Sequence, residues 1–302
     1  MEFFFGSSSV ILETVSLLQN FAIFIRNPIH GSRGFYTLTF DLKNLEMKII
    51  ILFLMILGIF SDEPKLKPVE SKVYSYSDAV AVKTESGEKR NLIDGETTHL
   101  ENFEIHVTTL NPEKAPHGSQ IHPDYEEIIL VKEGLLKVTI NGESKTMNPG
   151  SVALIMPGDK HGLENAGKTN TTYYIIKYKS KQPLSIERGK IAGGSILLQW
   201  DSIKFTAHDK GGIRRYFDRK SAMSERIEMH VTTLNPAIKS HEPHIHAPAE
   251  IVIMMEGTTE MEIGDRIYSG KAGDIYFLGS NIPHAIRNTG SNPCMYLAFQ
   301  WE

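Results

Sequence analysis

The chain states one pattern twice. His106-Val-Thr-Thr-Leu-Asn-Pro112 recurs letter for letter as His230 to Pro236, 124 residues later. His117 and His122 map onto His241 and His246 at the same spacing of 124. The second copy then loses one residue and the offset becomes 123. At that offset Glu127, Gly150, His161, Asn165 and Tyr173 map onto Glu250, Gly273, His284, Asn288 and Tyr296. A period this long repeats a whole domain, whereas solenoid units run to roughly 20–50 residues. What stays in phase is mostly histidine, carboxylate and turn glycine. A chain built this way is expected to make one small fold twice and to place most of the same candidate ligands in each copy.

A length of 302 residues suits two domains. With 41% hydrophobic and 23% charged residues, the composition is that of an ordinary folded protein. The net charge is −4, and no basic stripe or aromatic-interleaved arginine cluster is present, so nucleic acid is not an expected partner. A small-molecule substrate or ligand is expected, and nothing argues against a homo-oligomer.

Residues 1–61 belong to neither copy. Met47-Lys48 is followed by twelve uncharged, mostly apolar residues, Ile49 to Phe60, and then by Ser61-Asp62-Glu63-Pro64. A basic start, a short apolar core and a small residue before a polar break describe a secretory signal peptide. Twelve residues fall short of the roughly 20 that a spanning helix needs. The expectation is a signal peptide at 47–61, translation starting at Met47, and residues 1–46 as a gene-model extension or a disordered segment. Such a protein is secreted or periplasmic. The competing reading is a membrane anchor that also uses Val10 to Ile25, although Glu13 and Gln19 interrupt that stretch. The single cysteine, Cys294, excludes an intramolecular disulfide and reads as a small core residue.

Each copy reads as short strands and turns, without a run of helical period. In the first copy the strands are Glu127 to Val131, Leu135 to Ile140, Val152 to Met156 and Thr171 to Tyr178. In the second they include Thr258 to Ile263, Ile275 to Leu278 and Met295 to Trp301. Asn141-Gly142 and Gly264-Asp265, at equivalent phase, are two-residue hairpin signals. Many short strands with tight turns predict an all-β fold of two tandem barrels, 72–180 and 195–302. Residues 179–194 read as the connection, and 62–76 as an arm or edge strand.

The second copy carries His244-Ile-His246-Ala-Pro-Ala-Glu250. On a strand, histidines at i and i+2 point to one face. Glu250 opens the next strand and can return its carboxylate to the same point, and His284 supplies a fourth donor. Three imidazoles and a carboxylate suit Mn, Fe, Ni, Cu or Zn and leave positions open on a six-coordinate metal. The first copy offers Gln120, His122, Glu127 and His161. Its amide oxygen stands where the second copy has His244, so this site is expected to hold metal more weakly, or to be a metal-poor structural copy. Glu126 is the competing carboxylate, but only Glu127 keeps the six-residue spacing to Gly134.

These residues resemble the cupin superfamily, whose first motif runs His-x-His, three or four residues, Glu, six residues, Gly. His244, His246, Glu250 and Gly257 fit it, without the motif's leading glycine. Gly273, His284 and Asn288 fit the second motif, with Gly279 and Asn281 in place of its Pro and Gly. In the first copy His122, Glu127, Gly134, Gly150, Gly158, His161 and Asn165 fit, with Met156 in place of Pro. The resemblance spans roughly 80–302 and implies a bicupin, with two double-stranded β-helix (jelly-roll) barrels. It also implies a metal centre, and cupins serve as dioxygenases, decarboxylases, isomerases, aminohydrolases or sugar-binding proteins. Fold alone does not choose among these. A metal-dependent dioxygenase-like enzyme is the leading expectation, and a non-catalytic module for a sugar or small acid is the alternative. His117 and His241, three residues before the first ligand position, are expected either to orient a ligand or touch substrate, or to be exposed turn residues. The sequence leaves open which face His106 and His230 take.

Overall fold

The structure, a computed structural model, describes residues 66–302. Ahead of them it describes the backbone of four strands, Glu2–Phe5, Ser8–Ile11, Asn20–Arg26 and Phe35–Asp41, which pair in chain order as an antiparallel meander. The signal peptide read at 47–61 lies outside the described residues, as does most of the extension read at 1–46. No helix among the described residues is long and apolar enough to cross a membrane.

From residue 66 onward the regular secondary structure is nearly all strand. The first half holds β1 (Lys72–Tyr74), β2 (Val82–Thr84), β3 (Gly87–Gly95), β4 (Leu100–Leu110), β5 (Glu126–Glu133), β6 (Leu136–Ile140), β7 (Glu143–Met147), β8 (Val152–Ile155), β9 (His161–Asn165) and β10 (Thr171–Ser180). The second half holds β11 (Ile196–Leu198), β12 (Phe205–His208), β13 (Gly211–Arg219), β14 (Ile227–Leu234), β15 (Ala249–Glu256), β16 (Thr258–Ile263), β17 (Arg266–Lys271), β18 (Ile275–Leu278), β19 (His284–Asn288) and β20 (Cys294–Trp301). Each half pairs a seven-stranded sheet with a three-stranded one. The large sheets run β11-β8-β5-β10-β4-β3-β2 and β12-β13-β14-β20-β15-β18-β1. The small ones run β7-β6-β9 and β17-β16-β19. The connection contains a six-residue helix, α1 (Ile186–Ile191), which the sequence reading treats as coil; Ser185 caps it by accepting from the Arg188 N–H.

Burial explains the two kinds of strand text. Residues 126–131 of β5 and 249–254 of β15 are buried on both faces, so after their glutamates they read as unbroken apolar runs, 128–131 and 251–254. One face looks into its own barrel, where Ile129, Val131, Val138 and Tyr173 cluster in the first half. The other face packs against the opposite half in one shared core that includes Phe103, Tyr178, Phe277, Phe299 and Trp301. In β6 and β16, which have one wet face, buried residues alternate with partly exposed ones. The expected hairpins sit in equivalent places, joining Ile140 to Glu143 and Ile263 to Arg266. Asn141 and Gly142 both have positive φ, of 51° and 92°. In the second hairpin only Gly264 does, at 60°.

The two halves exchange their first strands. β1 pairs with β18 of the second half, and β11 pairs with β8 of the first. The exchange itself obeys the repeat: Ser71 and Ser195, like Tyr76 and Trp200, stand 124 residues apart. The Ser71 hydroxyl accepts from the Gly279 N–H at 2.9 Å, and the Ser195 hydroxyl accepts from the Met156 N–H at 2.8 Å. Tyr76 N–H donates to Asp274 and Trp200 N–H to Ser151. This accounts for a departure in the second motif. Gly279 and Met156 stand where the motif has proline, and proline has no N–H with which to hold the exchanged strand. Met156→Pro should therefore lower stability by about 1–3 kcal/mol, through the lost hydrogen bond and packing, although it restores the motif. A urea midpoint equal to or above that of the wild type would contradict this.

Candidate metal centres

In the second half four side chains converge from three chain segments. His244 and His246 lie on the loop before β15, Glu250 near the start of β15, and His284 opens β19. The loop is not a regular strand. His244 makes a single bridge to His284, with N–H···O distances of 3.2 and 3.1 Å in the two directions. That bridge brings the rings together: His244 to His284 is 4.6 Å between centroids, His246 to His284 is 4.8 Å, and His244 to His246 is 5.3 Å. One nitrogen from each of the three lies within 4.8 Å of the others. Glu250 Oε2 lies 3.2 Å from His246 Nε2 and 3.5 Å from His284 Nε2.

The far sides of two rings are anchored. His246 Nδ1 lies 2.8 Å from the Pro248 carbonyl, and His284 Nδ1 lies 2.8 Å from that of Ile282. An Nδ1–H given to a carbonyl leaves Nε2 as the lone pair that binds a cation. His284 Nε2 is buried and has no hydrogen-bond partner, a cost that a metal at this point would remove. Gln300 donates from Nε2 to Glu250 Oε2 at 3.2 Å. Burial alone would raise the Glu250 carboxyl, but the hydrogen bond with His246 and the nearby His284 ring outweigh it and hold the group at about 2. Burial lowers His244, which the neighbouring His241, His284 and His246 reinforce. The donor set thus combines an ionised carboxylate with imidazoles and fits a divalent transition metal.

The first half repeats the arrangement with a weaker set. Gln120 bridges His161 as His244 bridges His284, with both N···O distances at 2.9 Å. His122, Glu127 and His161 bring their ligand atoms within 4.8 Å of one another. Here the carboxylate stands further off, at 3.6 Å from each imidazole Nε2. His161 Nε2 is buried and unpartnered, as its counterpart is. Burial pushes Glu127 up to about 7, against the opposing charge of Lys177. Burial and then the charge of Lys177 push His122 down to about 4. The first set is therefore poorly charged before any cation arrives. Glu126 is not a competitor. Its carboxylate points to the opposite face of β5, where it accepts from the Ser221 hydroxyl and the Ala222 N–H, both at 2.7 Å.

His241 packs edge-on against His244 at 4.2 Å between centroids, and its Nδ1 lies 3.0 Å from the Glu242 carbonyl. Burial lowers its pKa, so it meets the site as a neutral ring. His117 lines the cavity of the first barrel. His106 and His230 each sit beside a glutamate two residues earlier, with Nδ1 2.7 Å from Glu104 and 2.9 Å from Glu228. Sequence reasoning missed three residues at the sites: Glu104, Lys177 and Gln300. All sit on central strands, and their signal is a polar residue inside a stretch otherwise dominated by buried apolar ones.

The Cupin domain family model matches residues 106–177 and again 230–299. A search of curated protein sequences returns no match. Among solved structures the chain is similar to an oxalate decarboxylase from Lactobacillus farciminis in complex with formate, at 16% identity and a TM-score of 0.61, over 78% of this chain and 87% of that one. It is similar to the protein Ylba from E. coli at 13% identity and a TM-score of 0.63, over 82% and 96%. A mutant of Bacillus subtilis oxalate decarboxylase matches at 15% identity and a TM-score of 0.59, over 92% and 88%. With one Cupin domain found in each half, this chain belongs to the cupin superfamily as a bicupin.

Proposed function

We propose that this bicupin is a metal-dependent enzyme acting on a small oxygenated substrate, with the second centre as its working site and a dioxygenase-like oxidation as its reaction. The observation that carries the reading is the convergence of His244, His246 and His284 beside an ionised Glu250, with the His284 Nε2 buried and unpartnered. His244, His246, Glu250 and His284 would hold the ion, which would be Mn, Fe, Ni, Cu or Zn. A bound divalent ion supplies Lewis acidity at positions that these four donors leave open. The chain's own residues set the geometry. The Pro248 and Ile282 carbonyls fix two imidazoles, Gln300 fixes the carboxylate, and His241 limits the rotation of His244. A decarboxylase is the second reading for the same centre, favoured by the oxalate decarboxylases among its structural neighbours.

The test is metal analysis of the purified chain, followed by oxygen-uptake and carbon dioxide assays on flavonols and small carboxylic acids. Oxygen uptake that vanishes in His284→Ala supports the oxidation, and carbon dioxide release without uptake supports the decarboxylase. Tight binding of a saccharide or small acid without any turnover would replace both with a non-catalytic module.

A further inference from the structure

The first barrel holds a charge that its metal set does not use. Glu104, Lys177 and Glu127 form one row across β4, β10 and β5, with Lys177 registered against Glu104 on one side and Glu127 on the other. All three line a cavity of about 320 Å³, together with Lys89 and His106. A lysine between two carboxylates ordinarily bridges them. Lys177 makes no ion pair among the described residues, and its ammonium lies over the Tyr125 ring, 4.3 Å from the centroid. Glu104 is already satisfied by His106 at 2.7 Å and Lys89 at 3.3 Å. In the second half the same row reads Glu228, Gln300, Glu250, the glutamine donates to Glu250, and Ile213 stands in place of Lys89. A cation held by an aromatic ring and by no carboxylate among the described residues thus lines the first cavity, and the second half has a neutral amide at that position.

His106 supplies a directional partner. Glu104 is held down at about 2, chiefly by its hydrogen bond with His106, so an ionised carboxylate meets the Nδ1 side of the ring. In the neutral imidazole the proton then sits on Nδ1 and the lone pair on Nε2. Nε2 has no partner among the described residues. Burial disfavours a second proton on this ring, against the hydrogen bond with Glu104, and the charges of Lys89 and then Lys177 add to the effect. Within the cavity Lys177 therefore offers a cation without an ion pair and His106 a hydrogen-bond acceptor, on neighbouring strands, in a space suited to a small molecule.

We propose that the first barrel binds a small hydroxy acid, with Lys177 taking the carboxylate and His106 Nε2 accepting a hydrogen bond from the hydroxyl. This site is separate from the second centre and does not depend on what that centre turns over. The probes are glycolate, acetate and methyl glycolate, titrated calorimetrically into the full chain. Glycolate should bind saturably, acetate about tenfold more weakly, and the uncharged ester not measurably, a contrast that needs no variant. Lys177→Gln, which installs the residue of the second half, should weaken glycolate at least tenfold, and Lys177→Arg should retain most of the binding. His106→Phe should bring glycolate to the level of acetate and leave acetate unchanged. His284→Ala should leave glycolate binding intact, so the result is independent of the second centre. Absence of glycolate binding at millimolar concentration, equal binding of acid and ester, or unchanged affinity in Lys177→Gln would overturn the proposal. So would loss of glycolate binding in His284→Ala, which would place the probe at the second centre.

Discussion

Replacing His284 with alanine should strip the protein of its tighter-held metal, while replacing His122 should remove less, or none. The second set brings three imidazole nitrogens within 4.8 Å of one another, beside a carboxylate held ionised at about 2. The first substitutes Gln120 for an imidazole and carries a carboxyl pushed up to about 7, from which a cation must displace a proton near neutral pH. Losing a residue that merely supports a ligand costs metal affinity roughly 10–100-fold, and losing a ligand should cost more. Metal per chain, measured by mass spectrometry after dialysis against a weak chelator, reads this directly. His246→Ala should behave as His284→Ala does. Gln120→His should raise the load toward two ions per chain. A His246 variant with its full metal content beside a His122 variant that has lost it would reverse the ranking of the two centres.

The second large effect is expected at Trp301. Its side chain is 1% exposed and packs 4.8 Å from Phe103 and 5.4 Å from Phe299 between ring centroids. Phe103 belongs to the first half and Phe299 to the second, so Trp301→Ala opens a cavity in the core that joins them. Such truncations cost about 3–5 kcal/mol. For a unit of this size that is roughly 6–20 °C in melting temperature. Ile267→Ala, at a side chain 66% exposed, should stay within about 0.5 kcal/mol and serves as the control. Equal urea midpoints for the two variants would mean that the halves do not depend on this core.

The ligand positions were legible because cations need particular donors and the repeat displays them twice. The Glu126 and Glu127 ambiguity was settled by the same spacing, since adjacent strand residues face opposite ways and only one reaches the histidines. The face of His106 was not legible. On β4, Phe103, Ile105 and Val107 go to the shared core while Glu104, His106 and Thr108 turn into the barrel cavity, so neither face is solvent and alternation alone does not tell the two apart. The exchange of β1 and β11 was also invisible. Lys72-Val-Tyr74 and Ile196-Leu-Leu198 announce strands, but backbone pairing carries no address for its partner. The helix at 186–191 escaped because six residues are too few to display a period.

The exchanged strands also bear on how such a molecule can diverge. Two separate single-barrel chains swapping their leading strands would form a symmetric pair, and any change in one gene would appear at both sites. Joining the copies in tandem keeps the mutual dependence of the barrels and removes the obligation to be identical. Each barrel still needs the other's strand to complete its sheet, so neither can be discarded. Yet Gln120 can stand against His244, and Lys177 against Gln300, without either change being copied across. Covalent duplication turns a symmetric partnership into an asymmetric one, in which one pocket can specialise in holding a metal and its twin is free to acquire another ligand.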